Sequence, residues 1–94
     1  MMHYFKRHWA EARGDNHDDW GASTWYFETE PDMWPIRQIE VYASGTVLQY
    51  DRQHIQDAFG ALSEAALDAT EFAPFAITQA EFEQMWSSKK PMNR

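Results

Sequence analysis

A chain of 94 residues without cysteine has room for one hydrophobic core and no disulfide or thiolate zinc site to reinforce it. Six Phe, five Trp and four Tyr supply an unusually large aromatic volume for that core. The net charge of −7 is unevenly placed: all fifteen acids lie between residues 11 and 84 against only Arg13, Arg37 and Arg52, a net of −12 there, which disfavours direct nucleic-acid binding and favours a basic partner.

The N-terminal stretch Met1–His8 carries Lys6 and Arg7 but no apolar core of a signal peptide, and the chain has no run of 18 apolar residues. With cysteine absent as well, a cytoplasmic, non-membrane protein is expected. Neither a repeat nor a linker-like tract interrupts the sequence, so residues 1–94 read as a single domain.

Strand signals fill the first half. Residues 3–11 and 23–30 are rich in aromatic and β-branched types, and Pro31 in Glu30-Pro31-Asp32-Met33 stands where a type I turn takes it. The segment between these strands, Arg13 to Ala22, is polar and bracketed by Gly14 and Gly21, hence a loop. Its Asp15, His17, Asp18 and Asp19 lack the ligand spacing and closing Glu of a calcium loop, and His3 and His8 fall on opposite faces of a strand, so no metal or cofactor is expected.

Residues 36–43 and 46–51 form a hairpin. If Ser44-Gly45 is its two-residue turn, paired residues have numbers that sum to 89. Ile39 then faces Tyr50 and Val41 faces Leu48 on a core side, with Glu40 and Gln38 on a wet side. The same register sets Arg37 opposite Arg52 at the open end, where two like charges call for an anion or internal carboxylates. On the solvent side Tyr42, Val47, Ile36 and Tyr26 are expected, an open face through which a homodimer could form.

Asp51, His54 and Asp57 follow at i, i+3 and i+6. On a helix over 52–59 they lie near one side, either as a helix start or as an imidazole held between two carboxylates. Farther on, Ser63 with Leu62 and Leu67 suggests a short helix of about two turns, and residues 68–76 have no clear period. Thr78 and Glu81 make a capping box, Ile77 and Phe82 a hydrophobic staple, and Phe82, Met85 and Trp86 share one face of a final helix that stops before Pro91. The order of elements gives an α+β fold: a four-stranded antiparallel meander with one face covered by the C-terminal helix and the short preceding one.

The segments Trp25-Tyr26-Phe27-Glu28, Arg37-Gln38-Ile39-Glu40-Val41-Tyr42 with Gly45, Tyr50-Asp51, His54, Asp57, Gly60-Ala61-Leu62 and Glu81-Phe82-Glu83-Gln84-Met85-Trp86 resemble a family of small bacterial domains of uncharacterised function. The resemblance spans roughly residues 4–86 and carries no catalytic assignment. Its size and acidity imply a protein that binds and blocks another, as an immunity protein or an inhibitor does.

No nucleophile elbow, phosphate-binding glycine loop or zinc-protease motif is present, so no catalytic residue is expected. The first reading is a non-enzymatic domain that binds a basic protein surface, with Trp20, Trp34, Asp18, Asp19 and Asp32 as contacts. The alternative is a small-ligand or anion pocket, with possible hydrolytic ability, built from Arg37, Arg52, His54, Tyr50, Asp51 and Asp57.

Overall fold

The computed structural model describes all 94 residues. Four strands, β1 (His3–Trp9), β2 (Ser23–Thr29), β3 (Pro35–Tyr42) and β4 (Val47–Tyr50), form an antiparallel sheet in the order β1-β2-β3-β4. A two-residue ladder of β5 (Gln56–Asp57) and β6 (Gly60–Ala61) follows, then a one-turn helix α1 (Ala69–Phe72) and a longer helix α2 (Gln79–Ser88). The fold is α+β, with a four-stranded meander and two helices, and no helix is long and apolar enough to cross a membrane.

Helix α2 begins where its caps dictate. Thr78 Oγ1 accepts from the Glu81 backbone N–H at 3.1 Å, and Ile77 packs with Phe82 against the sheet. Phe82 is fully buried among Tyr4, Tyr26, Ile39 and Val47, which fill one side of the sheet. Burying a phenylalanine there is worth about 2–3 kcal/mol.

The register of the β3–β4 hairpin is shifted by one from the expected pairing. Gln38 faces Tyr50, Ile39 faces Gln49, Glu40 faces Leu48 and Val41 faces Val47. The cause is the turn: the Gly45 N–H donates to Tyr42 O at 2.8 Å and Tyr42 N–H to Thr46 O at 2.9 Å, so three residues, not two, connect the strands. A two-residue hairpin turn of the I′ type needs positive φ at both central positions, including Ser44, whereas here only Gly45 takes it, at 95°. Glu30 to Trp34 repeats the device, with Met33 at φ 73° in the place where Gly45 stands, the sole non-glycine residue in that region.

The shift puts Leu48 and Tyr50 on the other side of the sheet, where they join Tyr42 of β3 and Leu62, with Phe5, Phe27 and Phe72 beside them. That side is not open. The chain from β5 to α1 lies across it and buries Tyr42, while Val47 and Tyr26 are buried on the α2 side, so all three depart from the solvent-facing placement expected for them. The polar residues of that side fasten the covering segment: Gln38 Nε2 donates to Ala61 O at 3.1 Å, and Gln38 Oε1 accepts from Ser63 N at 3.0 Å. Ser63 does not cap a helix, because its Oγ bonds to the backbone of Ala65 and no helical turn follows. Helix α1 instead takes Asp68 as its N-cap, five residues later, which accepts from Glu71 N at 2.8 Å.

Both edges of the sheet are covered as well. Ile77 N–H donates to Tyr4 O on β1 at 2.9 Å, and Met92 N–H donates to Val47 O on β4 at 2.7 Å. The sheet edges are therefore engaged by the chain itself at Tyr4 and Phe5 of β1 and at Val47 of β4.

Candidate functional site

The residues around the open end of the hairpin divide into three separate groups. Arg37 belongs to the α2 side. Its Nε donates to Glu28 at 2.5 Å, its Nη1 and Nη2 donate to the two oxygens of Glu83 at 3.0 and 2.6 Å, and its plane stacks 4.8 Å from the centre of Phe82 and 5.0 Å from that of Trp86. Glu83 is held below its ordinary pKa chiefly by this bond. Burial opposes the charge on Arg37, but the two carboxylates outweigh it and raise its pKa. Tyr4, pushed up to about 12 by burial and by donating to Glu28, extends the same cluster.

Arg52 stands elsewhere, exposed, and pairs with Glu30 at 2.6 Å. The expected juxtaposition of Arg37 and Arg52 is therefore absent, because the register differs and each arginine has its own carboxylate. No anion pocket is assembled between them.

Asp51, His54 and Asp57 are not on a helix either. Asp51 and His54 exchange backbone bonds across a tight turn, which Asp51 Oδ1 secures by accepting from Gln53 N and His54 N at 2.9 Å. The turn nevertheless brings His54 Nε2 within 2.7 Å of Asp57 Oδ2. Asp57 also accepts from Tyr50 OH at 2.9 Å, from the N–H groups of Phe59 and Gly60, and from Asn93 Nδ2 at 2.8 Å. Burial works against its ionisation, but the bonds from His54, Asn93, Phe59 and Tyr50 prevail and hold the carboxyl far below the ordinary range. Every oxygen of Asp57 is occupied by the protein's own donors, and no serine, threonine or cysteine joins the cluster. Its evident role is to tie β4, β5 and the C-terminal segment together.

A buried acid lies beneath the covering segment. Glu40, 2 % exposed, accepts from Gln38 Nε2 at 2.8 Å and Tyr42 OH at 2.5 Å. Burial raises its pKa despite those bonds. Arg13 closes the cluster from the loop, donating to Tyr42 OH at 3.2 Å and to Phe59 O, with Asp15 as its own counter-ion at 3.0 Å. No group of three His, Asp or Glu side chains is placed to hold a metal ion.

The five residues expected to contact a partner split between opposite ends of the sheet. Trp20, Asp18 and Asp19 form a short 3-10 turn at the β3–β4 end, where Trp20 O accepts from Ser44 N. Trp20 is half-buried against His17, Tyr42 and Phe59, with Arg13 over its ring. Trp34 and Asp32 sit at the β2–β3 end, the length of β3 or about 24 Å away. Trp34 is 44 % exposed and shares a concavity of about 340 Å³ with Ile55, itself 48 % exposed, and with Ile36, Arg52 and Glu64.

Ile55 and Glu64 escaped notice in the sequence. An isolated isoleucine among polar residues, as in Gln53-His54-Ile55-Gln56, was the one available signal, and it becomes meaningful only once the tight turn at 51–54 swings it toward Trp34. A larger hollow, about 400 Å³, is walled by Trp9, Trp25, Phe27, Tyr42 and Phe72. Those rings are engaged mainly with one another, Trp9 meeting Trp25 edge-on at 5.5 Å and Phe27 meeting Phe72 at 5.9 Å.

The unpaired charge of the surface is mainly acidic and spread over it, with Asp32 and Glu64 beside Trp34. All five arginines are in internal ion pairs, Arg7 with Glu71, Arg13 with Asp15, Arg37 with Glu28 and Glu83, Arg52 with Glu30, and Arg94 with Asp51. Glu11, Asp18, Asp19, Asp32, Glu64 and Asp68 have no such partner and are exposed. Comparison of the chain with protein-family models, with curated proteins and with solved structures found no match in any of the three.

Proposed function

We propose that this chain is a non-enzymatic protein-binding domain that masks a basic surface of its partner, in the manner of an immunity protein or inhibitor, and that it docks through the Trp34–Ile55 patch. One observation carries the reading. Every arginine is paired with a carboxylate of the same chain, so the unpaired charge of this region is acidic, and Trp34 and Ile55, the two large apolar side chains exposed away from the termini, stand together with Glu64, with Asp32 accepting from the Trp34 N–H and Glu30 paired with Arg52.

The chemistry fits that occupant. An exposed tryptophan in a shallow apolar hollow, rimmed by carboxylates, is suited to a partner segment that offers an aliphatic or aromatic side chain flanked by Lys or Arg. The apolar contact supplies residence time. The acidic rim supplies steering, so association is faster at low salt.

The test is affinity capture from an extract of the native cells, with wild-type and Trp34→Ala protein as bait at low and moderate salt. A basic protein retained by the wild type, released by salt and absent from the Trp34→Ala bait is the expected result. Equal recovery by the two baits, or a partner indifferent to Asp32→Asn and Glu64→Gln, contradicts the proposal.

A further inference from the structure

Strand β4 is an edge strand with no guard of its own. Thr46-Val47-Leu48-Gln49-Tyr50 holds no charge and no proline, whereas native sheet edges are blunted by such residues because free N–H and C=O groups template pairing with another chain. The guard comes instead from the far end of the sequence. Met92 N–H donates to Val47 O at 2.7 Å. Asn93 then stands in for a strand residue: its side-chain carboxamide accepts from Gln49 N at 3.0 Å and donates to Gln49 O at 3.0 Å. That reciprocal pair is the one an antiparallel neighbour makes.

Polar contacts hold this strap in place. The Asn93 amide also donates to Asp57 at 2.8 Å, and Arg94 donates to Asp51 at 2.9 Å. From Ser87 to Arg94 no residue is buried, and Lys89 and Lys90 form no ion pair. A segment with so little apolar burial opens at lower cost than the core beneath it.

We propose that the outer edge of β4 is a pairing surface for a second copy of this chain, held closed by residues 91–94. The second copy is the fitting occupant because the edge is self-complementary. Two uncharged β4 strands lie antiparallel across a twofold axis with no like charges opposed, joining two four-stranded sheets into one of eight. Away from the edge, two copies each at −7 repel, so pairing strengthens as salt screens them.

The experiment is light scattering over a concentration series at low and high salt, with circular dichroism to verify the fold. Wild type is expected at monomer mass throughout, and Asn93→Ala, an uncharged change, is expected to rise toward twice that mass, more steeply at high salt. Adding Thr46→Lys to Asn93→Ala places a charge at the bared edge and should return it to monomer. If Asn93→Ala does not fold, Arg94→Gln, which loosens the Asp51 contact and the cation over the Trp86 ring while leaving Asn93 in place, is judged by the same criteria. A strap variant that stays monomeric, a mass that grows past the dimer, a dimer that survives Thr46→Lys, or a wild type already dimeric each overturns the proposal.

Discussion

Asp57 accepts five hydrogen bonds and is the residue on which the second half of the chain converges. Its depressed pKa makes its contribution to stability depend on pH. The unfolded chain binds protons on its carboxyls near pH 4, whereas folded Asp57, with Asp51 and Glu83 in the same direction, stays ionised below that. The stabilisation is thus complete above the ordinary carboxylate range and is lost as pH falls through it toward the folded values. Glu40, raised by burial, acts in the opposite sense: what it adds is present at low pH and lost as pH rises through its folded value. Urea titrations from neutral to acid pH should show Asp57→Asn about 2 kcal/mol less stable at neutrality and with a shallower acid slope than wild type. Arg37 offers a second check. Truncation to Ala strands the buried Glu28 and removes a ring-stacked cation, so Arg37→Ala should lose about 3 kcal/mol in urea unfolding, and Arg37→Lys should recover only part because it cannot bind Glu83 through two nitrogens.

The elements differ in how plainly they were written in the sequence. Helix α2 was legible in full, since cap, staple and apolar face are all local. The four strands were legible in place, but the β3–β4 register was not. Ser44-Gly45 is compatible with both a two-residue and a three-residue connection, and alternation tolerates either when both sides of the sheet are buried. The second covering layer was not legible. The chain from Ile55 to Asp68 has neither helical nor strand period, and its hold on the sheet depends on Gln38, a residue that alternation alone assigns to solvent. The three-residue connection makes Gly45 necessary for its positive φ, with open space around it. Gly45→Ala should therefore cost about 1 kcal/mol from backbone strain alone, read as a lower urea midpoint with an unchanged slope.

At the scale of the whole molecule, what distinguishes this chain is the contrast between a saturated interior and a selectively bare surface. No buried side-chain polar atom lacks a partner, and every arginine is matched to a carboxylate. The exposure of Trp34 and Asp32 was legible because a tryptophan beside a Pro-Asp turn has little core to enter. Trp20 read the same way, and its burial depends on Phe59 and Tyr42, which only the fold brings near it. The measurement that bears most directly on the proposed role is isothermal titration of the captured partner with wild type, Trp34→Ala and the double variant Asp18→Asn with Asp19→Asn. An anchor at Trp34 predicts a loss of about 30-fold or more for Trp34→Ala and affinity near that of wild type for the double variant at the opposite end. Affinity unchanged by Trp34→Ala contradicts the docking site and, with it, the account of function built on that patch.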